Sequence, residues 1–428
     1  MKSEGKPPQP TALANALQAL DAEAIYGEHA REYEVYTRIA ESNGVVYLDL
    51  ANETWQAVQV TKDGWQVLNT PPVRFRRPAG MGKLPFPASD GSIQSLRRFA
   101  NVSDEEWPLL VGWLVGAFRP KGPYAVLELH GEQGTAKSTL CKVLRKLIDP
   151  NTSELRAKPK EDRDLMIAAS NGWIVALDNP SGLSDSLSDA LCRLSTGGGF
   201  GTRKLYADDQ EVLFNAARPI LLNGIQDIAT RSDLLDRALI LTLKPISKDQ
   251  RRDEDEFWTD FDKEYPTILG GLLHAVKTAI RHWSDTKLAN PPRMANFTRW
   301  VVAAEPALPW DGGGFVRAYD INRARADEKV IALNATAMLV AEMVQDGGCW
   351  RGTPTDLLET LRILAGSRPM DLPKAANTLS AELSRISPNL RGIGIEVELG
   401  LRKGHDSKRL IAIRKNKRDE SVLLAARN

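Results

Sequence analysis

Cysteine is scarce in this 428-residue chain: Cys141, Cys192 and Cys349 are the only three, and they lie far apart. None forms a C-x-x-C pair, and none stands at zinc-type spacing from any of the five histidines. The odd count and wide spacing exclude a disulfide framework and predict buried thiols in a reducing, cytoplasmic setting. Long apolar runs are also missing. None approaches the roughly 18 residues of a bilayer-spanning helix, so no membrane partner is expected. The opening MKSEGKPPQP has no apolar stretch of the secretory kind. Net charge is nearly absent, with 56 Lys and Arg against 55 Asp and Glu. That balance excludes a chain that coats nucleic acid by bulk charge, though not a local basic surface. The charge is unevenly placed: residues 351–428 hold 15 basic and 9 acidic side chains, so the rest is slightly acidic.

What is present is an ordinary soluble composition, 42% hydrophobic and 26% charged, over a length that suggests several domains. Residues 1–24 read as a Pro-rich tail and the start of a helix expected over Thr11–Ala40, with Leu13, Leu17, Leu20 and Ile25 at helical spacing. Residues 25–100 read as a small module with short strands at Val45–Leu50, Gln56–Val60 and Trp65–Leu68. Over 101–250, a helix at Asp104–Phe118 precedes apolar strands at Tyr124–His130, Trp173–Leu177, Pro219–Leu222 and Ala238–Leu243, separated by helical patterns. Such alternation predicts an α/β core with a parallel sheet. Residues 251–345 read as helical, with helices at Asp249–Glu264, Tyr265–Trp283 and Ala324–Val344 around a loop at Glu305–Gly314. Residues 346–418 run helix, helix, strand, strand, the shape of a winged helix, before a tail at 419–428.

The chemistry concentrates at the strand ends. Gly131-Glu132-Gln133-Gly134-Thr135-Ala136-Lys137-Ser138-Thr139 joins the first strand to a helix. Glycines let successive N–H groups turn inward, and the helix N-terminus adds its positive end, so the loop suits the phosphates of ATP. Lys137 can reach the β- and γ-phosphates, and Ser138 can ligate Mg²⁺. Ala136 replaces the usual glycine, which costs little if the position has helical dihedrals. The G-x-x-G-T-A-K-S form is similar to the loop of the minichromosome maintenance helicases. A second strand ends in Asp178, a further candidate for Mg²⁺, followed by Asn179, which can orient a water but accepts its proton poorly. The general base is thus unassigned; Asp185 and Asp189 are substitutes, or simply carboxylates solvating a helix. A third strand ends in Asn223, whose position resembles the sensor asparagine of AAA+ ATPases and so implies a role at the γ-phosphate or the attacking water, or which forms a plain Asn-Gly turn. Arg231 and Arg237 precede the fourth strand; Arg237 resembles the arginine finger of ring ATPases, with Arg231 a second candidate, or each is a salt-bridge partner of Asp227, Asp233 or Asp236.

Between the second and third strands, Ser195–Ala217 carries a glycine cluster and reads as an inserted β-hairpin with Arg203, Lys204 and Tyr206 on it. Phosphate loop, acid-ended strand, hairpin, Asn-ended strand and late arginine, in this order over Tyr124–Leu243, resemble superfamily 3 helicases of the AAA+ group. The likeness is nearest to the helicase part of phage and mobile-element primase–helicases. It implies a ring, commonly a hexamer, that translocates on single-stranded DNA. It makes Asp178 a Walker B aspartate, Asn223 a sensor-1 asparagine and Arg237 (or Arg231) an arginine finger acting on the adjacent subunit. It also puts Arg203, Lys204 and Tyr206 against DNA. Two features depart from the pattern: the hairpin tip carries Asp208 and Asp209, and the first 120 residues lack a primase-like acidic cluster, which leaves a separate primase as a candidate partner. At the C-terminus, Arg402, Lys403, Lys408 and Arg409 would line a basic wing on duplex DNA, or form a solvated face. The function expected is an ATP-driven DNA helicase or translocase in replication of a phage or mobile element. The alternative is a non-helicase AAA+ initiator, loader or defence NTPase that remodels a partner.

Overall fold

The four strands that carry the candidate chemistry, Val126–His130, Val175–Asp178, Ile220–Gly224 and Ala238–Thr242, form one sheet. The computed structural model describes residues 9–180, 182–203, 211–214, 216–225, 228, 231–346, 348–403 and 406–415. All pairings in this sheet are parallel. The spatial order is Ala238–Thr242, Val126–His130, Ile220–Gly224, Val175–Asp178, so the Asn223 strand lies between the phosphate-loop strand and the Asp178 strand. A bridge from Arg156 to Leu177 extends the edge.

Strands of a parallel sheet are covered on both faces, which is why these read as nearly continuous apolar runs. On one face, Leu127, Leu129, Leu221, Leu239 and Leu241 join a core shared with helices Trp107–Ala117, Glu254–His282 and Ala295–Ala304 and with the N-terminal strands. On the other, Val126, Val175, Leu177, Ile220, Leu222 and Ala238 pack against helices Asp162–Ser170 and Asp185–Thr196. Every residue of Trp107–Ala117 is buried, so this helix is apolar all round and not amphipathic.

Near the N-terminus the strands Ile39–Ser42, Val45–Asp49, Ala57–Val60 and Trp65–Leu68 form an antiparallel meander. The helix expected to run to Ala40 stops at Tyr26: Gly27 is extended, and the β-formers Val35, Tyr36 and Ile39 enter strands. Two helices expected across 249–283 are one, Glu254–His282, with Pro266 inside it. The helix expected at Ala324–Val344 is instead two, Gly314–Leu333 and Ala335–Met343. Asn334 divides them, its side chain accepting from Ala337 N at 2.7 Å as an N-cap.

The C-terminal unit has helices Ala335–Met343, Pro354–Ala365 and Ala376–Gly392 over a three-stranded antiparallel sheet. The strand order is Cys349–Gly352, Asp406–Lys415, Ile395–Lys403, and the unit has its own apolar core. No helix among the described residues is long and apolar enough to cross a membrane. All three cysteines are free; Cys141 and Cys192 are buried as expected, but Cys349 is exposed on an edge strand.

Candidate functional site

The parallel register brings the strand ends together at one edge of the sheet, where Gly224 pairs with His130 and Asn223 with Asp178. The chain leaves His130 into the phosphate loop and enters helix Lys137–Ile148. Gly131 and Gly134 have φ of +154° and +86°, and a Cβ on Gly131 would lie 2.9 Å from Leu243 O. Only glycine fits that approach.

Ala136 does not have the helical dihedrals that its sequence position suggests. It caps the helix in the left-handed region, at φ 60° and ψ 29°. That conformation costs an L-residue about 1–2 kcal/mol, because Cβ crowds the next carbonyl. Ala136→Gly is therefore expected to leave stability unchanged or raise it by up to about 1 kcal/mol, while the β-branched Ala136→Val should lower it by more than about 1 kcal/mol. Denaturant melts of the purified variants test this ordering; a Val variant as stable as the parent contradicts a left-handed position.

Lys137 Nζ donates to Gly131 O and Glu132 O, both at 2.7 Å, and to Thr135 Oγ1 at 3.3 Å. Burial pulls its pKa down, opposed by the charge of Asp178. Ser138 Oγ donates to Asp178 Oδ1 at 3.2 Å, and Asn223 Nδ2 donates to Ser138 Oγ at 3.3 Å. The Asn179 N–H is bound by both oxygens of Asn223, each at 2.9 Å, with Asn179 itself at φ +45°. Three of the predicted residues, Ser138, Asp178 and Asn223, thus meet, and Asn179 is joined to them through its backbone.

The donor set, one hydroxyl and one carboxylate, is all oxygen and fits a hydrated magnesium ion, which would take its other ligands from phosphate and water. No group of three or more His, Cys, Asp or Glu suited to a metal occurs among the described residues. The Lys137 ammonium stands within the loop, at the N-terminus of helix Lys137–Ile148, and a helix N-terminus with a cation beside it is able to hold a polyphosphate.

The arginines are placed elsewhere. Arg237 stands at the start of its strand, where its carbonyl accepts from Val126 N at 2.9 Å. Val126 and His130 are separated by four strand steps, roughly 13 Å, so Arg237 is out of reach of its own phosphate loop. Its Nη1 contacts Asp233 O at 2.5 Å and Asp233 Oδ1 at 2.6 Å. Arg231 is bound to Asp185 O at 2.9 Å and Asp189 Oδ1 at 3.0 Å. The two carboxylates considered as bases are therefore partners of Arg231.

Phe200–Arg203 and Glu211–Phe214 pair as an antiparallel ribbon, with Arg203 opposite Glu211. Lys204, Tyr206 and the Arg203 side chain lie outside the described residues, as do the side chains of Arg402, Lys403 and Lys408. Arg409 is exposed, opposite Arg402 in the C-terminal hairpin. One clamp has no counterpart in the sequence motifs: Asn101 Nδ2 donates to Lys244 O at 2.6 Å and Thr135 O at 3.3 Å, tying the segment before the core to the loop. A lone Asn in a polar stretch carries no signal of that role.

A profile of the actinomycete integrative conjugative element replication protein family matches residues 92–328, and one for the AICE RepA C-terminal domain matches residues 336–425. The chain belongs to this replication protein family. The expected likeness to mobile-element replication proteins is thereby met. Solved structures similar to this conjugative-element replication protein include the NrS-1 C-terminal region, at 14% identity over 94% of this chain and 90% of that one, with a TM-score of 0.38. The JCV helicase is 13% identical over 54% of this chain and 63% of its own, at a TM-score of 0.28. Cdc6p from Pyrobaculum aerophilum is 13% identical over 77% and 96%, at a TM-score of 0.22. No curated protein matches the conjugative-element replication protein.

Proposed function

We propose that this replication protein is an ATP-driven DNA helicase or translocase of superfamily 3 type that works as a ring, a hexamer being the expected form. The observation that carries this is the convergence of Ser138, Asp178 and Asn223 at the phosphate loop. Lys137 and the loop N–H groups bind the phosphates, Ser138 and Asp178 hold Mg²⁺, and Asn223 orients the attacking water. Mg²⁺, when bound, neutralises charge on the phosphate oxygens. Arg237, too far from its own loop, serves the nucleotide of the adjacent subunit. The C-terminal unit is a winged helix, with helix Ala376–Gly392 and the hairpin bearing Arg409 meeting duplex DNA. Arg203, Lys204 and Tyr206 contact the single strand in the channel.

ATP hydrolysis measured with and without single-stranded DNA, at several protein concentrations, tests the reading. We expect stimulation by DNA and a steep rise with protein concentration from ring assembly. Hydrolysis wholly indifferent to DNA would reject the motor reading and leave the initiator or loader in its place.

A further inference from the structure

A cleft of about 540 Å³ opens beside the phosphate loop. It is lined by Gly134, Ala136, Thr139 and Leu140, and not by Ser138, Asp178 or Asn223. Phe99, Leu140, Ile246 and Phe257 give it an apolar wall, and Arg98, Arg251 and Arg252 reach into it. Its size and mixed lining suit a base and ribose attached to phosphates held by the loop.

The three arginines are not equivalent. Arg98 is engaged by Glu264 at 3.0 Å, and Arg252 by Asp260 at 2.5 Å. Arg251 has no hydrogen-bond or ion-pair partner among the described residues, although Asp249, Asp253, Glu254 and Asp255 surround it in sequence. Its guanidinium instead stands over the loop: Nη2 would lie 3.5 Å from a Cβ built on Gly134. An exposed arginine amid carboxylates that pairs with none of them, and stands over a glycine of the loop that leads into a helix N-terminus, is placed for a ligand phosphate.

We propose that Arg251 is a further nucleotide-binding residue, which holds the polyphosphate of the bound nucleoside di- or triphosphate from the cleft side of the loop, away from the Mg²⁺ ligands. This rests on the reading of the loop as an ATP site. Because Gly134 lies mid-loop and the cleft excludes Ser138 and Asp178, Arg251 contacts phosphates that ADP and ATP share. It therefore contributes equally before and during hydrolysis, which affects KM and leaves kcat alone.

The test uses the full-length protein and a fluorescent N-methylanthraniloyl ADP with Mg²⁺, followed by ATP kinetics. Arg251→Ala should weaken ADP binding about tenfold or more, the loss of one charge-assisted contact. KM for ATP should rise by a similar factor, with kcat within about twofold of the parent. Arg251→Lys should recover part of the affinity. Lys248→Ala, which removes an exposed charge of the same sign three residues away and outside the cleft, should leave it within about threefold. If the parent binds no ADP, the nucleotide-site reading fails and this inference with it. If the parent binds ADP and Lys137→Ala weakens it, but Arg251→Ala does not, the inference alone is overturned. Equal losses in Arg251→Ala and Lys248→Ala overturn it too, since local charge would then suffice. A fall in kcat at unchanged KM would overturn the assignment to shared phosphates.

Discussion

Lys137→Ala is expected to cut ATP turnover by at least about 100-fold while leaving the fold intact. The ammonium is bound to loop acceptors, at 2.7 Å from Gly131 O and Glu132 O, and belongs to none of the apolar cores. Its removal deletes no buried packing. It does take away the mobile cation that can leave those carbonyls for a phosphate as negative charge develops on it. Asp178→Asn should act similarly, because the amide keeps the shape but loses the charge that would hold Mg²⁺ beside Ser138. Phosphate release and thermal melting, measured together, check both variants. Turnover within about threefold of the parent, with an unchanged melt, would remove Lys137 from the chemistry. The same variant also tests Arg237. In the proposed ring, mixing Lys137→Ala with Arg237→Ala subunits should restore part of the lost activity, since some interfaces would then carry an intact loop on one side and an intact arginine on the other. No recovery at any mixing ratio would count against Arg237 acting across the interface, and would favour its contact with Asp233 as its whole role.

Features encoded locally are legible in the amino-acid sequence. The phosphate loop is a contiguous string, and the four strands betray themselves because both faces of a parallel sheet are covered, leaving Val, Ile and Leu in unbroken runs. Asp178 and Asn223 can be placed at one edge because parallel strands end on the same side. What escapes the sequence depends on tertiary context. The left-handed turn at Ala136 is imposed by the loop closing on itself, and alanine gives no hint of it. Pro266 looks like a helix end, yet the helix continues through it: its face is buried by Phe261, Tyr265, Ile268 and Leu269, and tertiary packing outweighs the lost hydrogen bond. The unpaired state of Arg251 is equally hidden, because its sequence neighbours are acidic and only the fold turns it toward Gly134. The reach of Arg237 follows from which end of its strand it occupies, which the sheet order fixes and the motif alone does not.

Arg38→Met should be the most destabilising of these changes, by about 3–5 kcal/mol, because it breaks a buried ion pair on one side only. Arg38 and Asp149 meet at 3.2 Å with both side chains fully buried, although 111 residues separate them. Arg38 also donates to Asp49 O at 2.9 Å and Gly82 O at 2.7 Å. It does so from a left-handed backbone, φ 63°, that its surroundings must hold in place. Asp149 Oδ2 in turn accepts from Trp173 N at 2.8 Å and Ile174 N at 3.1 Å. The pair thus joins the N-terminal strands, the end of the phosphate-loop helix and the chain entering the Asp178 strand. Methionine matches the volume of the arginine stem but leaves the buried Asp149 without its ion-pair partner, held by the Trp173 and Ile174 N–H groups. Arg38→Met/Asp149→Asn removes both charges and keeps an oxygen for those donors, so it should be milder than Arg38→Met by at least about 1 kcal/mol. Urea melts of the two variants decide the point; a double variant as unstable as Arg38→Met would show that the stranded charge is not the source of the loss. Because Asp149 ends the helix that begins at Lys137, the single variant should also weaken nucleotide binding in proportion to its loss of stability. The double variant should restore both together, which separates a site loosened through its scaffold from one altered in its contacts.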